Sequence, residues 1–304
     1  MSISFFKILG PVIEREVAFI AKKYNLSTDE VYNLIDAEAE RNKAEWFSNR
    51  IPNLNYINPV CRLAYLYIVA AANAGTFHHV IESNDDLKGF ILETAEKQGH
   101  LKTCAFGAGP GTELLALAKF FHENPTGDCV PVDFQLLDKV QEWMSSWNGI
   151  RDQIRETYRK IHGSKQYKWP MLPSGNLLGC DVTDVRNLHK LGNVWHQDIY
   201  VINFLLSEIF DDDPRLRAFL SEVAKFAPPS ARFIFIERRG YRWTQQIKNI
   251  AEQSKLKLSP FRQSESLNLS GENPEDLGPL YRSLCDRRKP RTSWKIVYSI
   301  GVKQ

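Results

Sequence analysis

Three glycines at alternate positions, Gly107, Gly109 and Gly111, stand between an apolar run and a helical pattern, and they restrict the fold more than any other feature. The segment reads Cys104-Ala105-Phe106-Gly107-Ala108-Gly109-Pro110-Gly111-Thr112-Glu113 and leads into Leu114-Leu115-Ala116-Leu117-Ala118-Lys119-Phe120-Phe121. A strand that turns sharply into a helix, with its backbone pressed on a ligand, needs residues without Cβ at those points. The helix start leaves N–H groups facing whatever sits on the turn. A nucleotide-like ligand suits that geometry. A glycine-rich turn also serves packing alone, so the turn by itself leaves both readings open.

The segments that follow narrow the choice. Val130 to Asp138 is a short apolar run ending in an acid, placed where nucleotide-binding α/β folds hold ribose hydroxyls. Asn176 to Asp184 places Asp181 where it can meet an adenine edge. Asp198 to Leu206 reads as a buried central strand, and Ala231 to Glu237 as another, after the helical Leu216 to Phe226 and the breaker Pro228-Pro229.

In that order, these segments resemble motifs I to IV of class I S-adenosylmethionine-dependent methyltransferases, over about two thirds of the chain from Lys102 onward. The ordered set is specific for that superfamily, although no single motif is. NAD-binding Rossmann domains are the nearest competitor, and they favour Gly-x-Gly-x-x-Gly, whereas the third glycine here comes early. The resemblance implies an α/β fold: a Rossmann-like sheet with helices on both faces. It also implies S-adenosylmethionine as cofactor. Gly107, Gly109 and Gly111 would line its methionine part, Asp138 the ribose, Asp181 and Val182 the adenine, and Asn203 and Phe204 the transferred methyl group, with Phe106 and Ala108 of the turn also binding the cofactor. One position departs from the pattern. The family's acid two residues before the first glycine is Ala105 here, with Glu113 and Ser207 as nearby substitutes. A finer likeness rests on Phe-Gly-Ala-Gly-Pro-Gly-Thr-Glu-Leu-Leu-Ala-Leu and an upstream Leu-Ala-Tyr-Leu-Tyr stretch. It is similar to a group of eukaryotic methyltransferases, some fungal members of which are assigned to N3 methylation of uridine in large-subunit ribosomal RNA.

Methyl transfer is an in-line displacement in which the protein supplies proximity, alignment and proton removal. Asn203 is the candidate for orienting the acceptor, although the family's two prolines after it are replaced by Leu205 and Leu206. Glu208 is the candidate base; the alternative is a solvated acidic turn with Asp211, Asp212 and Asp213. His78 and His79 follow an expected helix end at Gly75, and local hydrogen bonding competes with a catalytic role for them. His189 and His196 have no spacing that implies a metal, so none is expected.

Organisation and charge complete the expectation. Residues 1–99 read as an N-terminal helical cap and 100–304 as the Rossmann-like cofactor-binding domain. In the cap, Ser27-Thr28-Asp29-Glu30 starts one helix, Pro52 and Pro59 bracket a turn, Val60 to Ala74 is helical and Asp85 to Lys97 gives another helix. Val140 to Ile161 is helical, Gly163 to Gly175 a loop, Lys255 to Ser259 a strand, Leu267 to Gly278 a polar loop and Ser293 to Val302 the last strand. Arg238, Arg287, Arg288 and Arg291 are the candidate substrate-binding residues, and RNA is the expected partner, because two basic elements flank one cleft. Solvated loops and, for the arginines of 140–161, an ordinary surface helix are the competing readings. The net charge of +3 excludes a strongly polybasic binder but not a local basic face. Five cysteines without CxxC pairing read as reduced thiols. No apolar run of about 18 residues is expected to cross a membrane, so cytoplasm or nucleus is the expected location. The oligomeric state, the methylated atom and the task of the cap stay open. The rival readings are a methyltransferase of a protein or small molecule, a sensor or scaffold protein that binds the cofactor without turning it over, and an NAD-dependent oxidoreductase.

Overall fold

The computed structural model describes residues 3–46, 54–209, 214–269 and 271–303. Pro52 and Asp211, Asp212 and Asp213, named above, lie outside them.

Among the described residues, five α-helices precede the first strand. α1 (Phe5–Tyr24) is capped by Ser4, whose side chain accepts from Lys7 N. α2 (Thr28–Trp46) begins with a reciprocal capping box: Glu30 N donates to Ser27 Oγ at 3.2 Å and Ser27 N to Glu30 Oε2 at 2.7 Å. α3 (Pro59–Tyr65), a π-helical turn at Leu66–Ala70 and α4 (Ala71–Glu82) run on without a break. The expected end at Gly75 does not occur. A Cβ there would collide with Leu269, so that glycine serves a close approach inside the helix. The stretch Pro59–Glu82, 24 residues long, contains a window apolar enough for a membrane span, but 83% of that window is buried inside the protein. α5 (Asp85–Gln98) ends at Gly99 with φ +68°.

The sheet follows as β1 (Leu101–Phe106), β2 (Val130–Asp138), β3 (Met171–Gly179), β4 (Ile199–Asn203), β5 (Arg232–Arg238), β6 (Leu256–Leu258), β7 (Arg262–Asn268) and β8 (Ser293–Lys303). Its order is β3-β2-β1-β4-β5-β8-β6. β1 to β5 are mutually parallel, and β8 runs antiparallel to β5. β6 and β7 pair along the other edge of β8 as one interrupted strand. That order, with its reversed penultimate position, is the class I methyltransferase-like form of the Rossmann-like fold.

Two expected loops give way in part to strands. The loop expected over Gly163 to Gly175 ends where β3 begins at Met171; as the edge strand β3 tolerates Pro173. β7 takes only the first two residues of the loop expected over Leu267 to Gly278, and its earlier part is a strand that polar composition hides and pairing with β8 supplies.

Side chains alternate between the two faces of the sheet, as the strand period requires. Ala105, Val201 and Ile234 join one core with α1, α2, α4, α5, α6 (Thr112–Glu123) and α7 (Met144–His162). Cys104, Phe106, Tyr200 and Phe233 join the other with α8 (Pro214–Phe226) and α9 (Tyr241–Gln253). Each fully buried Phe or Leu contributes about 1.5–3 kcal/mol. The helices of residues 3–46 and 54–98 therefore share one continuous core with the sheet face they cover. On α7, Trp147, Ile150 and Ile154 are buried, while Arg159 pairs with Glu156 on the exposed side and Arg155 donates to Pro173 O at 2.7 Å.

Candidate cofactor and acceptor site

The glycine turn leaves β1 at the carboxyl edge of the parallel strands. Gly107, Gly109 and Gly111 have φ of +60°, +51° and +81°, a region that penalises any Cβ. Space is short as well: a Cβ on Gly107 would strike Leu205, and one on Gly111 would lie 2.7 Å from Trp147 Cε3. Gly107 N donates to Leu137 O at 2.7 Å. Asp138, at the end of β2, accepts Gly109 N on Oδ2 and Val140 N on Oδ1, both at 2.8 Å. Burial raises its carboxyl above the usual range, while those two N–H groups oppose the shift.

Behind the turn lies a buried polar group. Glu113, in the first turn of α6, is 4% exposed, and Asn203 Nδ2 donates to its Oε1 at 3.0 Å. Asn203 Nδ2 also lies 3.5 Å from the main-chain oxygen of Asn73 on α4, and Asn73 Nδ2 donates to Tyr65 Oη at 2.7 Å. Burial raises the Glu113 carboxyl, with the Asn203 bond as the largest opposing influence. Three acceptors in this group, Glu113 Oε2, Asn203 Oδ1 and Asn73 Oδ1, are buried without a partner among the described residues. Burial also drives the Tyr65 hydroxyl well up, with the charge of Glu208 next in effect.

Aromatic rings close over these groups. Tyr56 and Tyr65 each lie 5.3 Å from Trp143, and Trp143 Cε2 sits 3.7 Å from where a Cβ on Gly109 would be. Glu208 follows β4, and Tyr56 Oη donates to its Oε1 at 3.4 Å. Burial pushes the Glu208 carboxyl up to about 7, the charge of Asp138 adds to the shift, and Arg238 opposes it. The lining is acidic, acceptor-rich and aromatic. It suits a flat ligand that carries positive charge.

On the β5–β8 side, Phe204 has φ +56° and packs 4.8 Å from Trp294. The Arg291 guanidinium lies 3.7 Å over the Trp294 ring, with Arg238 at 6.0 Å. A left-handed residue that is not glycine is a strained choice, and such residues gather at functional sites. Arg287 and Arg288 are held elsewhere: Arg287 Nη1 reaches Asp36 at 3.0 Å, and Arg288 pairs with Asp36 and Glu40 of α2. Phe106 turns to the opposite face of the sheet, stacked on Tyr200, so only its backbone borders the turn. Val182 is buried beside β3, and Asp181 is exposed with Oδ1 accepting from Thr183 N at 2.9 Å.

His78 lies within α4 and contacts Glu123 at 2.9 Å, at the far end of α6 from the glycine turn. His78, Glu82 and Glu123 bring potential metal-ligand atoms within 4.8 Å of one another. Both Glu82 oxygens are already bonded, by Lys88 and Asn124, which makes the cluster an ion-pair network.

Sequence reasoning missed Tyr56, Tyr65, Asn73 and Trp143 as site residues. Trp143 had one usable signal, its position five residues after Asp138. The others carry none, because the turn before α3 brings in Tyr56 and the continuous helix Pro59–Glu82 brings in Tyr65 and Asn73.

No family model and no curated protein matches the chain. Solved structures do. An arsenic(III) S-adenosylmethionine methyltransferase from Chlamydomonas reinhardtii aligns at 14% identity and TM-score 0.38, over 67% of this chain and 64% of that one. An O-methyltransferase family protein from Burkholderia thailandensis aligns at 11% and 0.43, over 97% and 72%. A precorrin-6y C5,15-methyltransferase from Geobacter metallireducens aligns at 11% and 0.39, over 73% and 90%. With identities and scores this low, the assignment of fold rests on the strand order and directions.

Proposed function

We propose that this chain binds S-adenosylmethionine and transfers its methyl group to RNA. The observation that carries the reading is the bond from Gly109 N to Asp138, which sets a glycine turn beside an acid at the carboxyl edge of the parallel strands. The cofactor, when bound, supplies an electrophilic methyl group on a positively charged sulfur. Asp138 retains lone pairs for ribose hydroxyls, since each oxygen takes one N–H. Asp181 and Val182 would border the adenine, and Asn203 and Phe204 the methyl group. The carboxyls of Asp138, Glu113 and Glu208 suit a cation, and this is the fit that favours a sulfonium ligand over a dinucleotide pyrophosphate.

For the acceptor side, Glu208 stands ready to take a proton, because a carboxyl held near 7 exchanges protons readily at neutral pH. Arg238 and Arg291 around Trp294 favour an acceptor with phosphate and a base to stack. In its narrowest form the proposal is N3 of a uridine in ribosomal RNA, whose imide N–H must be removed for methylation. A second reading, a cofactor-binding sensor or scaffold without turnover, is favoured by Ala105 standing in the family's acid position.

Calorimetric titration with S-adenosylmethionine, S-adenosylhomocysteine and NAD tests the first step. Saturable binding of the first two alone supports it, and NAD binding in their place overturns it. Incubation with RNA and a labelled methyl donor then separates the two readings: label in RNA supports the enzyme, and binding without label supports the sensor.

A further inference from the structure

We infer that Glu113, Asn203 and Asn73 form a subsite for a primary ammonium group. The three orphaned atoms, Glu113 Oε2, Asn203 Oδ1 and Asn73 Oδ1, are all acceptors. Each belongs to a side chain locked by its other polar atom: Glu113 by Asn203, Asn203 by Glu113, and Asn73 by Tyr65. Rotation therefore cannot satisfy them without breaking a bond already made. A buried acceptor without a donor is costly, so three on hydrogen-bonded neighbours call for one donor group with several N–H bonds. An alkylammonium offers three, and its charge complements the Glu113 carboxylate.

This rests on the cofactor reading above, because the group that fits is the α-ammonium of the methionine part. Ala105 sits on β1 with its side chain in the same core as α6, and it offers no polar atom. Glu113 enters from the first turn of α6 and brings a carboxylate to the end of β4, where Asn203 receives it. The anion thus comes from the helix after the glycine turn instead of the strand before it. Burial sets a cost on ionising Glu113 that an ammonium partner removes.

The test compares two ligands by calorimetry: S-adenosylhomocysteine, which carries the ammonium, and 5′-methylthioadenosine, which lacks the amino-acid tail. Glu113→Gln keeps the shape and removes the charge; Asn203→Ala is the second variant should the first fold poorly, with thermal unfolding as the control. Expected is a loss of about 10- to 100-fold in affinity for S-adenosylhomocysteine with 5′-methylthioadenosine unchanged. If the wild type binds both ligands and the variants lose neither, or lose both equally, the ammonium subsite is wrong and the cofactor reading survives. If the wild type binds neither, both fail together.

Discussion

Asp138 Oδ2 accepts the main-chain N–H of Gly109 at 2.8 Å, across the gap between the end of β2 and the turn after β1. One side chain thereby fastens two neighbouring strand ends. Its other oxygen holds Val140, at the lead-in to α7.

Removing that carboxylate leaves two N–H groups without their acceptor, at about 1–3 kcal/mol each where they stay buried. Asp138→Ala is expected to lower the unfolding temperature by several degrees. Asp138→Asn, which keeps one acceptor oxygen, should fall between it and the wild type. Thermal unfolding of the three proteins checks the order; equal midpoints would mean that the turn holds itself.

Glu208 makes stability depend on pH. Its folded carboxyl lies at about 7, above its usual 4.5, so the native state binds the proton more tightly than the unfolded chain. The resulting contribution is fully present below pH 4.5 and is lost as pH rises through 7. It amounts to on the order of 3 kcal/mol. Glu208→Gln should therefore gain stability over the wild type at pH 8 and show little difference at pH 4. Urea unfolding at both values measures this, and a gap that does not change with pH would contradict it.

Two glycines separate backbone strain from crowding. Gly111 and Gly99 are both left-handed, with φ +81° and +68°, but only Gly111 has neighbours in the way, Trp147 foremost. Gly99→Ala is expected to cost about 1–2 kcal/mol from backbone strain. Gly111→Ala should add about 1–3 kcal/mol for overpacking. Equal losses in denaturant unfolding would show that Trp147 yields without cost.

The ion pair between Lys119 and Glu272 is nearly dry, with the side chains 11% and 1% exposed. Glu272 also accepts from Ser4 Oγ at 2.8 Å, which joins the start of α1 to the loop after β7. Glu272→Ala strands a buried cation and should cost about 3–5 kcal/mol, whereas the double change with Lys119→Met should recover much of it. A double variant no more stable than the single one would place the loss in the Ser4 bond instead.

The parts of the fold legible in the sequence were those whose own composition decides their state. β1, β4 and β5 are apolar runs buried on both faces, and the glycine turn needs backbone angles that few residues adopt. β7 and the first half of β3 exist through pairing, which composition does not encode, and the task of Gly75 is illegible in the sequence because its neighbour Leu269 is remote. The site divides in the same way. Asp138, Asn203 and Glu113 sit at fixed steps from strand ends. Tyr65 and Asn73 belong to a helix whose periodicity reports burial alone, so their meeting with Glu113 and Glu208 is a product of packing.

The π-helical turn at Leu66–Ala70 has a mechanical consequence. The carbonyl of Ile68 within it accepts the N–H of Arg291 at 2.7 Å. Tyr65 and Asn73 flank that turn on the cofactor side, while Arg291 covers Trp294 on the acceptor side. The two banks of the cleft are thus pinned together through this turn, where Tyr67 Oη also donates to Arg288 O at 2.8 Å. Any opening that admits a large acceptor must either carry both banks as one body or break those bonds first, which makes the Arg291 amide a sentinel whose hydrogen exchange reports the opening.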